Sequence, residues 1–342
     1  MSTLDDTSTP AKVDAPAAIA AKPASLAFGR WATIVTIIAL IVAPLLVRNF
    51  VIFQLTMVMI YGIAVLALNI LTGGSGQFSL GQSAFYALGA YTSGILMEHF
   101  GVNYALTLPI AGAVCFAAGF LFGFPALRLS GIYLALATFA LAVAMPQLLK
   151  LGVFEEWTGG VQGLVVTKPE APFGLPMSQD MWLYYFVLVI TFVIYVLSVN
   201  LLKSRSGRAM MAIRDNEIAA SAMGVDISLY KTLAFGISAG ITGVAGGLGA
   251  IAVQFVAPDS YTFQLAIALF LGMVVGGVGW LPGSFAGAAF IVFVPNIAEG
   301  ISKGLSGAFF GVLLFVVIYL VPHGARQGAI YAETLFNKLR RS

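Results

Sequence analysis

From residue 31 onward the chain runs in long apolar blocks, separated by short polar breaks that carry most of the charge. A helix needs ~20 apolar residues to cross ~30 Å of hydrocarbon. Blocks near that length lie at 31–47, 51–71, 82–97, 105–124, 131–149, 182–202, 232–256, 262–276, 284–298 and 305–321. The pattern predicts an all-α integral membrane protein of about ten transmembrane helices within 31–321. The third, eighth and ninth blocks are short, so eight or nine spans also fit. The leading residues are polar and rich in Ala and Pro. Such a segment buries too little apolar surface to order itself. Residues 1–30 therefore read as a disordered cytosolic tail, and the first block as a signal anchor. Residues 322–342 read as a second cytosolic tail.

Composition sharpens this. Hydrophobic residues make up 60% of the chain, charged residues 9%, and the mean hydropathy is +0.97. Soluble domains carry about a quarter charged residues, so a soluble protein is excluded. Lys and Arg favour the cytosolic side of short loops. With ten spans and both termini inside, thirteen of the 17 Lys and Arg fall inside and four outside. The net charge of +3 is small, and nothing in its distribution points to nucleic acid.

Two polar breaks are long. Residues 150–181 are rich in Gly and Pro and are expected outside, as a folded periplasmic loop. Its Glu155, Glu156, Glu170 and Asp180 are available to a partner protein or simply to water. Residues 203–231 are expected inside and hold five basic and three acidic side chains.

No phosphate-binding G-x-x-x-x-G-K-[ST] motif occurs, so the chain has no ATP hydrolysis site of that type. Cys115 stands alone and reads as a core residue. His99 and His323 lie far apart near span ends, so no metal site is expected. Charge deep in a bilayer marks ion pathways, yet Glu98, Arg128, Lys150, Asp259, Glu299 and Lys303 all sit at span ends. No charge lies between Arg48 and Glu98. That pattern weighs against an ion-coupled carrier, which stands with a channel as the alternative class. A membrane enzyme lacks any nucleophile–base set here.

The interior polarity is neutral. Asn69, Ser75, Gln77, Ser79 and Gln82 are candidates to line a path for a small polar solute. The competing reading is interhelical hydrogen bonding, worth ~0.6 kcal/mol each on average. Irregular backbone at membrane depth survives only against protein or a water-filled cavity. The glycine-flanked stretch Ser75–Ser83 is thus expected to be a helix break. A weak internal echo links Gly73-Gly74-Ser75-Gly76 with Gly276-Gly277-Val278-Gly279. Paired Gly-interrupted segments often flank a substrate path.

Within 203–231, Asp215 or Asn216 suits a helix start and Gly224 a left-handed stop. The intervening helix of about two turns is marginal alone, so it is expected to dock on neighbours or on a separate ATPase. Arg214, Glu217, Ala219, Ala220 and Gly224 are the candidate ATPase-coupling residues.

The spacing Glu217-x-Ala-Ala-x-x-x-Gly224 resembles the coupling loop of ABC importer permeases. LNILTGGSGQFSLGQSAFYALGAYTSGI at 68–95 resembles the signature of the branched-chain amino acid permease family. FPALRLSGIYLALATF at 124–139 and Thr158-Gly159-Gly160 through Gly163 resemble its LivM-type members. The resemblance spans roughly 50–320. It implies a permease of the bacterial inner membrane, without cofactor, in contact with membrane lipid. The implied partners are two ABC ATPase subunits, a second homologous permease of LivH type and a periplasmic binding protein. The implied substrates are branched-chain amino acids, or urea, amides or small organic acids in relatives. The chain departs from the family at Val143, where Glu is common, at Gln82, where His is common, and at TGGVQG, where TGGSDG is common. These departures bear on substrate identity, not on class.

Overall fold

A computed structural model of the protein describes residues 39–126, 131–170 and 177–301. The expected tails 1–30 and 322–342, most of the block 31–47, the block 305–321, Arg128, Lys303 and His323 lie outside the described residues. The described residues from 41 onward form one compact unit.

That unit is helical. Helix α1 is Asn49–Asn69 and ends in a wider π turn, Ile70–Gly74. There follow α2 (Gln82–Glu98), α3 (Tyr104–Ala126), α4 (Ile132–Leu149) and α5 (Gln179–Lys203). Then come α6 (Arg205–Asp215), α7 (Glu217–Ala222), α8 (Ile227–Val253), α9 (Phe263–Gly276) and α10 (Gly283–Ile301). Among the described residues, six helical segments are long and apolar enough to cross a membrane.

Helix α8 starts at Ile227, earlier than the apolar block that predicted it. The Asp226 carboxylate accepts from the Leu229 N–H at 3.0 Å and caps it. Capping satisfies a donor that has no partner within the helix. The charged segment 203–231 is therefore two helices and the first turn of a third, rather than a free loop.

Helix α8 is the axis of the bundle. Of its most apolar window 78% is buried, against 22% for α5, so α8 is core and α5 periphery. Its small residues explain this. A Cβ on Gly243 would lie 2.4 Å from Cys115 Sγ on α3, and one on Gly89 of α2 would lie 2.1 Å from the Gly243 carbonyl. A Cβ on Gly246 would lie 2.0 Å from the Tyr86 carbonyl. Backbones approach this closely only where side chains are absent, which is how helices gain contact where lipid removes the hydrophobic drive. Helices α3, α4 and α5 turn Leu121, Phe124, Leu136, Val189, Phe192 and Leu197 outward, an apolar surface suited to lipid.

The two ends of the bundle differ. At one end, strand β1 (Leu164–Val165) pairs antiparallel with β2 (Phe255–Val256), just beyond α8. Gln254 links α8 to β2 in the left-handed region, at φ 63°. Lys150 meets Asp259 at 2.5 Å there, and Lys168 pairs with Asp180. The other end carries the π turn, the α6–α7 pair and the turn between α9 and α10.

Candidate functional site

Residues 76–81 leave helical geometry between the π turn and α2, within the glycine-flanked stretch 75–83 expected to break, whose last two residues, Gln82 and Ser83, instead open α2. Their depth follows from their partners. Gln77 Nε2 donates to the Lys231 carbonyl at 3.1 Å, near the start of α8. Gln82 Nε2 donates to Ser238 Oγ at 2.8 Å, and its Oε1 accepts from Thr242 Oγ1 at 2.7 Å. At 1.5 Å per residue, the stretch rises roughly 10 Å into the bundle alongside α8.

Irregular backbone there needs internal partners, and Ser and Thr supply them. The Leu80 N–H donates to Thr138 Oγ1 at 2.9 Å and the Gly81 N–H to Ser79 Oγ at 3.2 Å. Thr72 Oγ1 donates to the Gln77 carbonyl at 3.0 Å, and Ser75 Oγ to the Leu71 carbonyl at 2.7 Å. Gln77 also donates to Ser75 Oγ at 3.0 Å. Ser75, Gln77 and Ser79 thus form one buried strip. Phe78 points out of it and is half exposed.

Asn69 and Gln82 stand apart from that strip. Asn69 Nδ2 reaches the Gly277 and Trp280 carbonyls and Ser284 Oγ at 3.1–3.3 Å, and its Oδ1 accepts from the Gly279 N–H at 2.6 Å. It clamps the α9–α10 turn onto the end of α1. Gln82 joins α2 to α8, and Ser238 passes the link on to the Ala67 carbonyl of α1 at 2.8 Å. Both amides are buried and engaged at both ends by protein. The hydroxyl of Ser83, next in line, is buried without a partner.

The two glycine turns that echo each other in sequence meet in space. A Cβ on Gly73 would lie 2.6 Å from Gly279 Cα and N. Arg214 joins them from below, its Nη1 donating to the Gly73 carbonyl at 2.6 Å and its guanidinium pairing with Asp215 at 3.0 Å.

The segment 215–225 is built as its local signals predict. Asn216 is the cap, accepting from the Ala219 N–H at 3.0 Å. Gly224, at φ 82°, ends the turn, and the Val225 N–H returns to the Ala220 carbonyl at 3.1 Å. Glu217 meets Lys231 Nζ at 2.6 Å. Ala220 is buried, whereas Ala219 is exposed and Ile218 and Met223 are each 84% exposed. Helix α7 therefore presents an apolar tip beyond the bundle.

Sequence reasoning missed α6, Thr138, Ser238 and Thr242. The first had a signal: Gly207, Met210 and Ile213, three residues apart, form its buried face. The hydroxyls had none, because their partners lie 58 to 160 residues away.

Comparison with known proteins agrees with this architecture. The family model described as "Branched-chain amino acid transport system / permease component" matches residues 50–321. The chain is 37% identical to the high-affinity branched-chain amino acid transport system permease protein LivM of Salmonella typhimurium, over 66% of this chain and 58% of that protein. It is 36% identical to LivM of Escherichia coli K12, over 72% of this chain and 63% of that protein. It is 23% identical to a probable branched-chain amino acid transport permease protein LivH of Methanocaldococcus jannaschii, over 71% and 81%. The chain thus spans about three fifths of the length of the two LivM relatives. No solved structure matches it. With most of its length matched by one family model and its helix break lying inside the matched region, the chain belongs to the family of branched-chain amino acid transport permease components.

Proposed function

We propose that the chain is the membrane-spanning permease subunit of an ATP-driven importer in the bacterial inner membrane. It crosses the bilayer about ten times with both termini in the cytosol. Branched-chain amino acids are the solute class that the family and its LivM relatives favour. A periplasmic binding protein delivers the solute to the end bearing residues 150–181. A second, LivH-type permease completes the pathway, and two ABC ATPase subunits supply the work.

One observation carries this reading: the exposed helix α7 is wired to the helix break. Its Glu217 holds Lys231, whose carbonyl holds Gln77, while Arg214 holds the Gly73 carbonyl. A pull on Ile218 and Met223 by an ATPase groove is delivered two contacts later to residues 73–77. Opening or closing that stretch changes access along the strip of Ser75, Gln77 and Ser79, beside which Asn69 and Gln82 act as fixed anchors.

The test is co-purification of the tagged chain, followed by leucine uptake in proteoliposomes. Two ATPase subunits and a second permease at comparable amounts are expected, with uptake that requires ATP. Glu217 or Gly224 substitutions should then leave ATP hydrolysis running without uptake. A chain that purifies alone and moves solute without ATP is a carrier or channel instead.

A further inference from the structure

Four tyrosines gather between α1, α2 and the turn Pro258–Tyr261, close under the end of the bundle that carries the β1–β2 pair. Tyr61 and Tyr86 have ring centroids 6.1 Å apart, Tyr86 and Tyr261 5.8 Å, and Tyr91 and Tyr261 6.3 Å. Tyr86, Tyr91 and Tyr261 are more than nine-tenths buried. Tyr91 Oη donates to the Val256 carbonyl at 3.4 Å. The other three phenol oxygens have no hydrogen-bond partner among the described residues.

Packing alone does not account for this. A buried tyrosine hydroxyl normally finds a partner, and three adjacent phenols without one are a concentrated exception. The only fully enclosed, unpartnered side-chain oxygens among the described residues are those of Ser83, Ser93 and Thr191. The three phenol oxygens are therefore not sealed and border open space. The surrounding helix makes room for them. A Cβ on Gly249 of α8 would lie 2.0 Å from Tyr86 Oη. Gly249 is one turn from the end of α8, roughly 6 Å below it. Asp259, exposed and only two residues before Tyr261, stands above the cluster with Lys150.

We propose that Tyr61, Tyr86 and Tyr261 form a subsite for the ammonium group of a small aliphatic amine or amino acid, entered from the end bearing Asp259. This deepens the importer reading and rests on it for the direction of entry. Ring faces carry negative electrostatic potential and attract ammonium groups, most strongly where water is excluded. Phenol oxygens accept the ammonium hydrogens. The rings also cover an aliphatic chain. A carboxylate would face those same negative ring faces and be repelled.

The test measures binding to the purified full-length chain in mild detergent, by titration calorimetry. The probes are 3-methylbutylamine, L-leucine and 4-methylpentanoate, which share a branched chain and differ in charged end. The amine and leucine should bind and the acid should not. Tyr86→Phe/Tyr261→Phe retains both rings and should weaken amine binding about tenfold through lost charge-assisted contacts. Gly249→Ala should abolish it. Unchanged helical circular dichroism in the Phe variant separates lost binding from lost folding. Failure of every probe to bind, tighter binding of the acid, or amine binding by the Phe variant at wild-type strength would each overturn the site. Uptake is read separately. Phe-sensitive amine binding without ATP-driven uptake would sink the importer and leave the site. ATP-driven uptake with Phe-insensitive binding would do the reverse.

Discussion

The two glycine turns, 73–76 and 276–279, start from nearly the same sequence and end in different structures. After the first, the chain stays non-helical to residue 81 and climbs into the bundle. After the second, it folds through a short turn into α10 at Gly283. The difference lies in who holds each turn. The second is clamped by Asn69, which reaches three of its polar groups and Ser284 besides. The first is held by groups of the α6–α8 region, namely Arg214 on the Gly73 carbonyl and the Lys231 carbonyl on Gln77. One turn is bolted to its own membrane helices, and its echo to the segment that protrudes from them. Similar glycine signals thus end in two differently anchored turns.

The clamp gives the largest expected effect. Asn69→Leu leaves the Gly279 N–H unpaired and removes the second hydrogen bond of the Gly277 and Trp280 carbonyls; it should destabilise by about 3 kcal/mol, read as a lower Tm in mild detergent. Gly73→Ala comes next. Its Cβ would meet the Gly279 backbone, which cannot rotate away, so a loss of about 2 kcal/mol is expected. Arg214→Gln frees the Gly73 carbonyl at about 1.5 kcal/mol. Its sharper signature is functional, since uptake should fall while ATP hydrolysis persists. Gly279→Ala tests the asymmetry directly. The position is open, with nothing nearer than 3.9 Å to an added Cβ, but its φ is 79°. Strain alone should cost about 1 kcal/mol. If Gly279→Ala proved as damaging as Gly73→Ala, the two turns would not differ as described. Glu217→Gln should destabilise least, by about 0.5 kcal/mol.

What could be read from the sequence follows the range of the forces involved. Asn216 and Gly224 mark α7 because capping and left-handed φ act within a few residues. The long apolar blocks mark α1, α3, α4, α5 and α8 because each helix satisfies its own backbone. The break at 76–81 is visible in its glycines. Its supports are not, because Thr138 and Lys231 carry no local mark of the backbone groups they meet. Asn69 and Gln82 looked like lining residues for the same reason: an amide in an apolar block shows its polarity but not its partner. The Tyr61, Tyr86 and Tyr261 grouping was equally hidden, since those rings come from three separate elements.

The Gln82 amide has a consequence in time as well as in space. Its two partners lie 156 and 160 residues further along the chain. At ribosomal rates of ~5–20 residues per second, α2 is made roughly ten to thirty seconds before Ser238 and Thr242 exist. During that interval a buried-type amide and the helix that bears it have no finished binding seam, because the glycines of α8 that receive α2 have not been made. Helix α2 must wait beside the translocon or at the bilayer surface until α8 emerges. A nascent chain carrying Gln82→Cys and stalled before residue 227 should therefore leave that position open to aqueous thiol labelling, and one stalled well beyond residue 253 should protect it.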